Sequence, residues 1–152
     1  MLLPELTTMN PPLDPGHNPF TEVTIPSDHA EARRVQDTIE QQLHACPISE
    51  QEIFGLRLAL EEALVNAIKH GNQMDRGKQV HIAYRLLGDR FEIRIVDEGS
   101  GFDPSDVPDP TAIENLDRPC GRGLMLMRHY MSHVEYNERG NAVFMVKTFK
   151  RK

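Results

Sequence analysis

The sequence predicts an α+β fold, a two-layer sandwich in which helices cover one face of a mostly antiparallel mixed sheet. Three observations carry this expectation. Apolar residues recur at helical spacing in Ala32, Val35, Ile39 and Leu43, and again from Ile53 to Ile68. Two alternating runs, Val80–Leu86 and Phe91–Ile95, flank Leu87-Gly88-Asp89 and read as a β-hairpin. Shorter alternating runs precede the helices and close the chain. With 152 residues, one domain around one core is the natural reading.

Residues 1–19 carry Pro4, Pro11, Pro12, Pro15 and Pro19 with Gly16 and few large apolar side chains, the composition of a flexible tail. The folded domain is therefore set at 20–152. Phe20-Thr21-Glu22-Val23-Thr24-Ile25 alternates and reads as a strand. Pro26-Ser27-Asp28 punctuates it, with Ser27 placed to cap the first helix. Cys46-Pro47 ends that helix. Ser49 with Glu52 is a capping-box signature for a second, longer helix running to about Gly71, which stands where a C-terminal glycine belongs. After the hairpin, the stretch from Asp97 to Cys120 is rich in Asp and Pro and has little periodicity. A loop of that length in a small domain is usually functional or disordered. Gly121-Arg122-Gly123 then opens a short helix from Leu124 to about Met131. Two closing strands follow, Val134–Tyr136 and Ala142–Phe149, joined by Asn137-Glu138-Arg139-Gly140-Asn141.

Hydrophobic residues at 39% and charged residues at 26% suit an ordinary soluble domain. The formal net charge of −6 argues against nucleic acid as a direct partner, because phosphate backbones are bound through Lys and Arg. It leaves room for a nucleotide in a locally positive pocket. Cys46 and Cys120 form no CxxC pair and read as free thiols in a reducing compartment. No apolar run approaches the roughly 20 residues that span a bilayer, and the first residues make a poor signal peptide. A cytoplasmic protein with no membrane partner is expected.

Three constellations can carry chemistry. On the second helix, Glu62, Asn66, Lys69 and His70 are spaced i, i+4, i+7 and i+8 and so share one face, away from Leu60, Ala63, Leu64 and Ala67. An amide oxygen beside a carboxylate suits Mg²⁺, whose remaining ligands are usually waters and nucleotide phosphates. The carboxylate can instead take a proton from an attacking hydroxyl. The plain alternative is a solvated helix face. Second, Asp97-Glu98-Gly99-Ser100-Gly101-Phe102 follows an apolar strand. An Asp there can accept from the exocyclic amine of adenine, and glycines permit close approach to a flat base and positive φ. An acidic turn closing the strand is the competing reading. Third, Gly121-Arg122-Gly123-Leu124 leads into a helix whose first N–H groups and dipole favour phosphate, with Arg118 and Arg122 beside it. A glycine hinge would look the same.

Taken in this order the motifs become specific. Glu62-x-x-x-Asn66-x-x-Lys69-His70-Gly71, Asp97-x-Gly99-x-Gly101 and Gly121-x-Gly123-Leu124 resemble the nucleotide-binding boxes of the Bergerat-fold superfamily of gyrase, histidine kinases and mismatch-repair ATPases. Within it, Glu61 to Gly71, and Gly121 to Met127 ahead of Val134-Glu135-Tyr136, are similar to the anti-sigma-factor serine/threonine protein kinases. The resemblance spans roughly residues 20–149. It implies ATP or ADP with Mg²⁺ as cofactors. Glu62 would be the general base toward a serine or threonine hydroxyl, and Asn66 the Mg²⁺ ligand. Asp97 would read the adenine amine, with Gly99, Gly101 and Phe102 shaping the base pocket. Lys69, His70 and Gly71 would lie along it, and Arg118, Gly121, Arg122, Gly123 and Leu124 against the phosphates. The segment between Gly101 and Gly123 would be the lid. The implied partners are an anti-anti-sigma (STAS-domain) protein as substrate and a sigma factor as the protein held inactive, with the kinase a homodimer. A non-catalytic, nucleotide-dependent binding switch of the same fold is the alternative. The family's closing strand commonly carries a threonine near the adenine, shortly after a Gly; here Gly140 is followed by Asn141-Ala142 and Thr148 falls later, so that role stays unassigned.

Overall fold

The structure, a computed structural model, describes residues 19–99 and 119–150, apart from the side chains of 119–123. Five strands, β1 (Thr21–Pro26), β2 (Gln79–Leu86), β3 (Arg90–Asp97), β4 (His133–Tyr136) and β5 (Ala142–Thr148), form one sheet of order β1-β2-β3-β5-β4. Every neighbouring pair is antiparallel. Three helices, α1 (His29–His44), α2 (Glu50–Val65) and α3 (Pro119–Tyr130), pack on one face, as the α+β sandwich requires. The expected tail, apart from its last residue, and nearly all of the expected lid lie outside the described residues.

Local chemistry explains the boundaries. The first helix is capped by Asp28, not Ser27: the Asp28 carboxylate accepts from the Ala30 N–H at 3.0 Å. Ser27 turns inward instead, donating to the Lys78 carbonyl at 2.8 Å and accepting from the Asn72 amide at 2.9 Å. A buried hydroxyl needs partners, and the tertiary ones outcompete the local cap. Ser49 caps α2 as expected, accepting from the Glu52 N–H at 3.1 Å. Glu52 also accepts from the Lys150 N–H at 3.2 Å, which ties the end of the described chain to the start of α2.

Two helix readings are corrected. The second helix does run to Gly71, but Asn66–Gly71 winds as a π-helix. The third helix begins at Pro119, so Gly121, Arg122 and Gly123 lie within its first turns instead of opening it. Proline suits the first helical position, where its missing N–H goes unused, and burial of Leu124, Met127 and Met131 offsets the two glycines' low propensity.

The period-two pattern of the strands splits them across two faces. Val80, Ile82, Tyr84, Phe91, Ile93, Ile95, Val143 and Met145 face the helices and join Ile39, Leu43, Leu56, Leu60, Leu64, Ile68 and Met127 in the main core. The opposite face holds a smaller cluster, Val96, Ala142 and Phe144, beside buried charges. There Glu92 pairs with both Arg85 and Arg90, and the Phe20 ring stands within 4.5 Å of the Arg85 guanidinium and 4.3 Å of that of Arg94. Among the described residues no helix is long and apolar enough to cross a membrane.

Because Leu56 is wholly buried between helices and sheet, Leu56→Ala is expected to lower unfolding free energy by about 2–5 kcal/mol. Urea denaturation of the two proteins at equal temperature measures it.

Candidate functional site

The π-helical segment sets the site's geometry. An i→i+5 bonding pattern stacks Gly71 beneath Asn66, where α-geometry would have stacked His70. Ala63, Asn66, Ala67 and Gly71 thus border one narrow cleft with Ile95 and Asp97 of β3 and the turn Gly140-Asn141-Ala142. This corrects the shared face assumed for a continuous α-helix: Ala63 and Ala67 line the cleft, while Lys69 is exposed.

The helix end and the strand end touch backbone to backbone. A Cβ on Gly99 would fall 1.7 Å from the Gly71 carbonyl oxygen, and one on Gly71 would fall 2.3 Å from the Asp97 carboxyl. Glycine is required at both positions for this closeness. Neither adopts positive φ; among the described glycines only Gly140 does, at 74°, in the β4–β5 turn.

Asp97 ends β3 with its carboxyl buried at the cleft floor. Burial pushes its pKa up to about 6, against the opposing pull of the Gly99 N–H (2.9 Å to Oδ1) and the charges of Arg139 and Lys78. Glu62 is half-buried four residues before Asn66, and burial, reinforced by neighbouring Glu61, raises its pKa as well. His70 is half-buried; burial and then Lys69 lower its pKa, and its Nε2 is buried without a hydrogen-bond partner among the described residues. Lowered pKa favours the neutral ring.

The structure therefore brings Asn66, Gly71 and Asp97 together around the cleft with Gly99 against Gly71, while Glu62 and His70 are half-buried on the same helical run and are not among the residues that line the cleft. Leu124 packs its side chain into the core beside Met127, so it supports α3 from below. Gly121, Arg122 and Gly123 are placed only as helix backbone, on a helix that lies against α2 and touches the π-helical segment. Gly101, Phe102 and Arg118 lie outside the described residues.

Three residues passed over in the sequence complete the site: Asn72, Asn137 and Asn141, all buried. Asn72 accepts from the Glu98 N–H at 2.7 Å, and Asn141 donates to the Asp97 carbonyl at 3.3 Å. Asn141 occupies the place after Gly140 that had no assigned role. The available signal was an asparagine immediately after each of two structurally marked glycines, Gly71 and Gly140.

A larger hollow of about 770 Å³ lies on the outer sheet face, lined by Glu22, Thr24, His81, Arg94 and Arg139 among others, and meets the cleft at Asp97 and Asn141. The narrow cleft gathers Asn66, Asn141 and the shifted carboxyl of Asp97, and Glu62, the other shifted carboxyl, stands one helical turn before Asn66, which makes the cleft the candidate site. Among the described residues no cluster of three His, Cys, Asp or Glu side chains could hold a metal alone. An ion at Asn66 would need ligand oxygens from a bound phosphate compound, the usual habit of Mg²⁺.

The serine/threonine-protein kinase BtrW of Bordetella bronchiseptica is 33% identical over 88 residues, covering 57% of this chain and 62% of that protein. The serine-protein kinase RsbW of Bacillus subtilis is 28% identical over 135 residues, 84% of each chain. A crystal structure of the RsbU and RsbW domains of Rv1364c from Mycobacterium tuberculosis superposes with a TM-score of 0.58 at 18% identity, covering 87% of this chain and 32% of that one, and shares its fold. Residues 25–147 match the model of the histidine kinase-like ATPase domain. With residues 25–147 of its length matched, this chain belongs to the histidine kinase-like ATPase domain family.

Proposed function

We propose that the protein is an ATP-dependent serine/threonine kinase of the anti-sigma-factor type. Its substrate would be an anti-anti-sigma (STAS-domain) protein, and it would hold a sigma factor inactive in the cytoplasm as a homodimer. The observation that carries this reading is the pairing of Glu62 with Asn66, one helical turn apart, beside a cleft floored by Asp97. A nucleotide-binding module without transfer has no use for a desolvated carboxyl there. The kinases BtrW and RsbW among its relatives support the same reading.

In this mechanism Asp97 accepts a hydrogen bond from the adenine amine while Gly71 and Gly99 leave room for the ring. Asn66 supplies its amide oxygen to Mg²⁺, which neutralises phosphate charge when bound. The first turn of α3 offers backbone N–H groups toward the phosphates. Glu62 takes the proton of the partner's serine as its oxygen attacks the γ-phosphorus. The bond from that phosphorus to the β-phosphate oxygen breaks, ADP leaves, and phosphoserine forms. A raised Glu62 pKa improves it as a base, since proton affinity must be adequate at the moment of attack.

The reading is tested by incubating the protein with γ-labelled ATP, Mg²⁺ and its STAS-domain partner; label on the partner is expected. Tight nucleotide binding with no label transferred would leave a binding switch instead. Glu62→Ala should cut transfer by about 10²–10⁴-fold with nucleotide affinity nearly unchanged, read by the same assay beside calorimetry. Asn66→Ala should lose the Mg²⁺ dependence of ATP binding; metal-independent tight binding by the unaltered protein would remove its assignment.

The pH dependence follows from Asp97. Only the ionised carboxylate is a full acceptor, so ATP affinity should be greatest above pH 6 and decline toward about tenfold per unit as pH falls below it. In the free protein the sign reverses. A folded pKa above the ordinary 3.8 favours the neutral acid, so this group's stabilisation is complete below about pH 4 and is lost as pH rises through 6. Asp97→Asn should flatten both profiles, measured by calorimetry and thermal melts across pH 4–8.

A further inference from the structure

We propose that Asn72 and Asn141 are specificity-determining positioning residues, gripping the two polar ends of the Asp97–Glu98 peptide so that the Asp97 carboxyl is aimed at the amino group of the base. The proposal rests on the reading of the cleft as a purine site. The carbonyl of Asp97 and the N–H of Glu98 belong to one peptide plane. Asn141 Nδ2 donates to the first at 3.3 Å, and Asn72 Oδ1 accepts from the second at 2.7 Å.

Neither carboxamide can turn over. Asn72 is fully buried, and its Nδ2 faces Ser27 Oγ at 2.9 Å and the Gln79 carbonyl at 3.0 Å. Ser27 already donates its proton to the Lys78 carbonyl, so both neighbours are acceptors. Flipping Asn72 would set its oxygen against two acceptors and its NH₂ against the Glu98 N–H. On the other side, Asn137 Oδ1 accepts from the N–H groups of Asn141 and Ala142, at 3.1 and 3.2 Å, which fixes that carboxamide. Its Nδ2 must then donate to Asn141 Oδ1, at 2.8 Å, and Asn141 Nδ2 is left facing the Asp97 carbonyl. The backbone adds one more tie, Asp97 N–H to the Asn141 carbonyl at 2.9 Å.

With the peptide held, Gly99 N–H binds Asp97 Oδ1, and Oδ2 is left on the Gly71 side of the cleft. Displacing this peptide would shift the two α-carbons that flank it, and with them the Asp97 carboxyl on one side and the peptide bearing the Gly99 N–H on the other. The two asparagines come from opposite sides of the cleft, one after the π-helical segment and one from the β4–β5 turn. Each thus reports the position of its own element to the same acid.

The experiment compares binding of ATP with that of purine riboside triphosphate, which lacks the exocyclic amine, to the whole chain. The unaltered protein should prefer ATP by about 10–100-fold, the range of a hydrogen bond to a charged group. Asn72→Ala and Asn141→Ala should each reduce that preference by about tenfold, with the analogue's Kd moving less than about threefold. Ser27→Ala, which removes a support of Asn72 without touching the peptide, should lower Tm and leave the preference within about twofold. If Asn72→Ala is not recovered folded, Asn141→Ala, on a turn, decides the matter. Parallel loss of both affinities with the preference intact would overturn the positioning role and leave the asparagines as scaffold. No preference in the unaltered protein would overturn the purine-site reading itself.

Discussion

The contact between the Gly71 carbonyl and Gly99 is the constraint on which the rest of the site depends. It brings the end of a helix and the end of a central strand closer than any side chain would allow. Such closeness closes a cleft at one end and buries Asp97 with it. A buried carboxyl holds its proton more tightly, and the Gly99 N–H, Arg139 and Lys78 offset that only in part, which explains the elevated Asp97 pKa. Backbone proximity thus becomes electrostatic character.

The π-helical turn is what makes the contact reachable. Had α-geometry continued, Gly71 would have rotated away from Asn66 and the strand end would have met a side chain. One wider turn is energetically poorer than an α-turn, and such turns persist mainly where function needs the altered projection. Here the stabilisation that holds it comes from both sides. Ile68 is buried in the core, and Asn72, immediately past the turn, is saturated with hydrogen bonds to β2 and to the β1–α1 connection.

The outer sheet face shows a different solution to burial. Glu92 is shared between two arginines, and the Phe20 ring lies against the guanidiniums of Arg85 and Arg94. Charges there are retained by pairing and cation–π contact, while the helix-covered face is apolar throughout its centre. The two faces of β2 and β3 are therefore buried for different reasons. That is why both strands read as nearly continuous burial from an alternating sequence.

The α+β layering, the hairpin, the Ser49 cap and the apolar stripes of the first two helices were all legible in the residues, because periodicity and capping are local properties. Of the site, Glu62, Asn66, Gly71, Asp97 and Gly99 were legible as motifs. The sequence could not show that Ser27 abandons its cap for Asn72, that α3 starts at Pro119, or that Asn66–Gly71 winds as a π-turn. Nor could it show that Lys69 points to solvent while Ala63 borders the cleft. Each of these was decided by partners 20 or more residues away or by packing across elements. Local pattern determines which groups are present and how each segment prefers to fold; only tertiary contact decides which buried polar groups find one another, since a desolvated hydrogen-bonding group must take whatever partner the assembled fold supplies.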